Sequence, residues 1–139
     1  MNETGTAILE FALVIPLLLI LLFGIIEFGF VLYDKAMITN ACREGARRGI
    51  VYRFDPDETA PQHPTDSEII SVITAYLQNH LITFGDPLLQ TQITREGDSS
   101  GDELTVIITY GYDFLLLPSF LTSMTGSINL AAKTIMRME

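Results

Sequence analysis

From Phe11 to Tyr33 the chain runs for 23 residues with a single charge, Glu27, and almost no other polar side chain. As a helix this run is about 34 Å long, enough to cross a hydrocarbon core of ~30 Å with some tilt. A core helix of a soluble domain would alternate with a polar face, and none shows before Glu27. A cleavable secretory signal fits poorly. No basic residues precede the run, it is longer than an apolar signal core, and no small-x-small site follows promptly. The pattern predicts a retained transmembrane helix.

Past Tyr33 the periodicity stays helical to about Val51. Ala41, Gly45 and Gly49 form a ridge of small residues that would let another backbone approach, either a partner helix or the domain's own sheet. Glu44 can meet Arg47 or Arg48 one turn on. Residues 54–64, with three prolines and three acids, read as a loop. Thr65 and Glu68 then form a capping box that opens an amphipathic helix to about His80, with Ile69, Ile73 and Leu77 on its apolar face. Gly85-Asp86-Pro87 breaks the chain. Period-two alternation predicts three strands, Leu89–Arg95, Leu104–Tyr110 and Ile128–Met138, with an acidic turn after the first. Between the last two, residues 113–124 form an apolar excursion around Pro118 that suits a short helix resting on membrane or protein. The fold class is α+β: a long N-terminal transmembrane helix continuing into a small head with a second helix and a three-stranded antiparallel sheet.

Charge divides the chain as the hydropathy does. Residues 1–54 carry five acids and five bases; residues 55–139 carry twelve acids and three bases, which accounts for the net −9. An acidic outer half lacks the clustered Lys and Arg that nucleic acid requires, so no nucleic-acid partner is expected. Cys42 stands alone, which excludes an intrachain disulfide, and its small neighbours suit a packing role. His63 and His80 belong to no catalytic motif, and no phosphate loop, nucleophile elbow or triad is present. Asp98, Asp102 and Glu103 could hold calcium loosely, but their spacing fits no EF-hand and reads better as a solvated turn. No enzyme, metal or cofactor is expected.

Glu10 and Glu27 are the informative carboxylates. They lie 17 residues apart, about 26 Å along a helix, so both could sit at opposite membrane interfaces. A carboxylate within a span is costly and is a functional candidate for that reason. Gly5-Thr6-Ala7-Ile8-Leu9-Glu10-Phe11 resembles the processing site of type IV prepilins. The longer pattern of Glu10-Phe11, Pro16, Gly24, Glu27-Phe28-Gly29, Tyr33, and Ala41 with Arg43-Glu44-Gly45-Ala46-Arg47 resembles the TadE-like minor pilins of tight-adherence (Flp-type) pilus systems.

That resemblance implies a leader of residues 1–5 cut after Gly5 by a prepilin peptidase, which leaves Thr6 as the new N-terminus. It further implies a transmembrane and assembly helix over 6–33, a helix extension over 34–53 and an acidic extracytoplasmic head over 54–139. Glu10, Phe11 and Glu27 become assembly residues. The implied partners are the peptidase, major and other minor pilins, the pilus assembly platform and the membrane. The implied location is the bacterial inner membrane, single-pass, with the head outside the cytoplasm. Physically, a new amine on Thr6 would lie one turn from Glu10, and the pair would be far stronger in lipid than in water. Two features depart from the family pattern. Met1-Asn2-Glu3-Thr4 offers no base, and the bases after the span would alone place the head in the cytoplasm. An uncleaved single-span protein displaying a ligand-binding or adhesive head is the alternative.

Overall fold

The computed structural model describes residues 3–53, 62–82, 89–116, 126 and 128–139. Helix α1 spans Glu3–Gly49 and α2 spans Asp66–His80; β1 is Leu89–Arg95, β2 Glu103–Tyr112 and β3 Ile128–Arg137. The α+β architecture expected from the pattern is present, and the expected span and its helical extension form one continuous 47-residue helix. At 1.5 Å per residue α1 is about 70 Å long. It runs through Pro16 as continuous helix. The proline loop and the apolar excursion fall mainly on residues 54–61 and 117–125, outside the described residues, as does the Gly85-Asp86-Pro87 break.

The strands form an antiparallel sheet in the order β1-β2-β3. Leu89 pairs with Tyr110, Ile93 with Val106, Val106 with Thr134 and Tyr112 with Ile128. Because strand side chains alternate between faces, this register puts Leu104, Val106, Ile108, Tyr110 and Tyr112 on one side, and all five are buried. From β3 they are joined by Leu130 and Ala132. Both helices pack over this face. α2 contributes Ile69, Ile73 and Leu77, four residues apart, and α1 contributes Ile38, Ala41, Cys42 and Ala46.

α2 starts where its capping box dictates. Glu68 N–H donates to the Thr65 hydroxyl at 3.4 Å, and Thr65 N–H donates back to the Glu68 carboxylate at 2.8 Å. The chain end is tied to the same core. Met138 N–H donates to the Asp102 carbonyl, and Glu139 N–H reaches the Ile50 carbonyl where α1 ends.

The small-residue ridge faces inward. A Cβ on Gly45 would lie 2.5 Å from Ile73 Cγ1, and one on Gly49 would lie 2.5 Å from Leu104 Cδ2 and 2.6 Å from Ile69 Cδ1. Only glycine lets α2 and the sheet seat this close to α1. Within the chain, the ridge thus meets α2 and β2.

Candidate functional site

The candidate surface is α1 itself, and it has two halves. Between Ile8 and Ile26, twelve large apolar side chains are 38–75% exposed, so no part of the described head covers this stretch. The helix that carries it is long and apolar enough to cross a membrane. An apolar surface this long exceeds what a soluble monomer leaves open. Gly5 and Glu10 lie at its start, with Glu10 and Phe11 both exposed on the helix surface. A Cβ on Gly5 or Gly24 would meet nothing within 4 Å.

At Glu27 the environment changes. Its side chain is 1% exposed. Oε1 accepts the Tyr112 hydroxyl at 2.7 Å and Leu115 N–H at 2.9 Å, while Oε2 accepts Leu116 N–H at 2.6 Å. A buried carboxylate is tolerable when its lone pairs are filled, and charge-assisted bonds of this length are strong ones. Burial, followed by the bond to Glu27, pushes the Tyr112 hydroxyl well above the usual phenol range. Tyr112 therefore stays a donor. Glu27, which the sequence allowed at a membrane interface, is a clasp that holds the end of β2 and the turn after it against α1.

One heptad along, Asp34 is fully buried. Its Oδ1 accepts Ile82 N–H at 3.0 Å, which ties the exit of α2 to α1, while Oδ2 has no hydrogen-bond partner among the described residues. Burial raises its carboxyl above the usual range, and the Ile82 bond offsets this in part. Burial, with the charges of Asp34 and Asp113, also pushes the Tyr110 hydroxyl up to about 12. Glu27 and Asp34 begin the inward stripe that Ile38, Ala41, Gly45 and Gly49 continue, with steps of three, four or seven residues.

The remaining candidates have local roles. Cys42 Sγ lies 3.2 Å from the Val106 carbonyl oxygen in the core, where burial pushes its thiol up. Glu44 takes both bonds from Arg47 in an exposed pair. Asp102 caps its own turn by accepting Ser99 N–H, and among the described residues no three His, Cys, Asp or Glu side chains gather to hold a metal ion. His80 stacks on Tyr76 and His63 on Tyr52. Asp34 and Tyr112 were missed by sequence reasoning. The available signal was the seven-residue step from Glu27 to Asp34 in phase with the small-residue ridge.

No curated protein and no solved structure matches the chain. A family model does: residues 5–47, covering the bare half of α1 and most of its head-packed half, match the family of TadE-like proteins. Over residues 5–47 the chain is similar to TadE-like proteins, and the helix that carries the match is long and apolar enough to cross a membrane.

Proposed function

We propose that the protein is a minor pilin or pseudopilin that takes part in building a tight-adherence pilus. In this reading a prepilin peptidase cuts after Gly5, and the head lies outside the cytoplasm. The bare half of α1 passes from the inner membrane into contact with pilins and the assembly platform. The observation that carries the reading is the uncovered apolar surface from Ile8 to Ile26, which starts just past Gly5 and contains Glu10, on a segment that matches the TadE-like family. A helix that is apolar all round packs as well among like helices as in lipid, so it can exchange one for the other. Glu10, exposed one turn past the new Thr6 amine, would pair with that amine on its own or a neighbouring subunit.

Co-expression with a prepilin peptidase and mass measurement of the N-terminus tests the processing step. A chain beginning at Thr6 is expected; an intact Met1 terminus beside an active cognate peptidase contradicts it. The second reading, an uncleaved display protein, draws on a cavity of about 340 Å³ at the far pole of the head. Tyr52, Gln62, His63, Pro64, Thr65, Arg95 and Asp98 line it. Co-sedimentation with sheared pili separates the two readings.

A further inference from the structure

Which part of the head touches the membrane follows from where the clasp sits. Residues 5–26 form about 33 Å of helix, close to one hydrocarbon thickness, so Glu27 falls at its edge. The clasp binds Leu115 and Leu116 to that level through their own N–H groups. Leu115 is 38% exposed there, and so is Ile128, which lies opposite Tyr112 in the sheet register. On the helix, Phe28 and Leu32 remain 62% and 53% exposed although the head has begun beside them. From Glu27 to Leu32 is about 7.5 Å, comparable with one interfacial layer of a bilayer.

We propose that this rim of the head, Leu115 and Ile128 together with Phe28 and Leu32, is sunk in the lipid interface, with the Glu27 clasp setting its depth. The proposal rests on residues 5–26 spanning the membrane. Lipid is the occupant because these exposed apolar side chains lie at the level where the exposed apolar run from Ile8 to Ile26 ends. Among the described residues beside it, Asp113 is exposed, and Lys35 reaches the Ala131 carbonyl further up. Asp113 would stay at headgroup level, where an apolar side chain next to it can still bury its end in the acyl boundary.

The buried Cys42 makes the test practical, because a thiol-reactive fluorophore will leave it unmodified while the head is folded. Single cysteines at Leu18, Leu115, Ile128 and Ile70 would carry the probe in the full chain. The labelled proteins are reconstituted in phosphatidylcholine vesicles with bromines placed near the headgroup or near the chain ends. Labels at Leu115 and Ile128 should be quenched at least two-fold, mainly by shallow bromines. The label at Leu18 should respond mainly to deep bromines, and the one at Ile70 should not respond. Quenching at Leu18 with none at Leu115 or Ile128 overturns the rim and leaves the span standing. No quenching at any site overturns the span and the rim together. Labelling at Cys42 marks a misfolded variant, and Leu115 and Ile128 serve as independent checks on each other.

Discussion

The two halves of α1 have similar residues and opposite neighbours. Each has glycines and one or more carboxylates, yet Gly24 has nothing near it while Gly45 is pressed against Ile73. Glu10 is exposed, whereas Glu27 is closed in by three donors. The physical meaning of a residue on this helix therefore depends on which side of Glu27 it stands. Before it, the helix is a surface awaiting lipid or other helices. After it, the helix is the spine of the head.

The largest contrast should come from leucine in place of a glycine. Gly45→Leu forces a side chain into Ile73 and should cost the head about 3 kcal/mol or more, even after the better helix propensity of leucine. Gly24→Leu should leave head stability within about 0.5 kcal/mol. Urea unfolding in detergent, followed by tyrosine fluorescence, measures both. Equal effects would erase the division.

Next come the carboxylates. Glu27→Ala strands the Tyr112 hydroxyl and two backbone N–H groups, an expected loss of about 3 kcal/mol. Glu10→Ala should not move the unfolding midpoint, yet it should impair assembly. Normal piliation in that variant would remove the role proposed for Glu10.

Asp34 should give a smaller, pH-dependent effect. Its folded-state carboxyl titrates above the unfolded value, so the head loses stability as pH rises through that window. Asp34→Asn keeps an acceptor for Ile82 N–H and removes the charge. Its advantage over the parent should be near zero below about pH 4 and grow as pH rises. A constant difference across that range would exclude ionisation as the cause. Smallest of all, Glu44→Ala breaks an exposed pair and should cost at most about 0.5 kcal/mol, because the head covers only one side of this half.

Much of this was legible in the sequence. The capping box at Thr65 and Glu68, the alternation from Leu104 to Tyr110 and the ridge at Ala41, Gly45 and Gly49 all rest on local rules, and the fold obeys them. The pattern set the end of the apolar run at Tyr33, and contacts between the head and α1 already start at Glu27. Hydropathy sums over the whole circumference from Phe28 to Tyr33, where Phe30 and Val31 already pack against the core while Phe28 and Leu32 stay exposed. Glu27 itself was read along the membrane axis, as a charge at an interface. Its partners lie 85 to 89 residues away, and one of them is a hydroxyl at the end of a strand. No local periodicity reports a contact of that kind.

The division of α1 can be tested most directly with a shortened chain beginning at Ile25, which retains Glu27 and everything after it. Its thermal and urea unfolding would be compared with those of the full chain in the same detergent and, without detergent, in water. The account predicts a cooperative transition at the full-chain midpoint, from a chain that no longer partitions into vesicles as an integral protein. A shortened chain that fails to fold, or whose midpoint falls as far as that of Glu27→Ala, would contradict it, because residues 5–24 would then belong to the head's own structure.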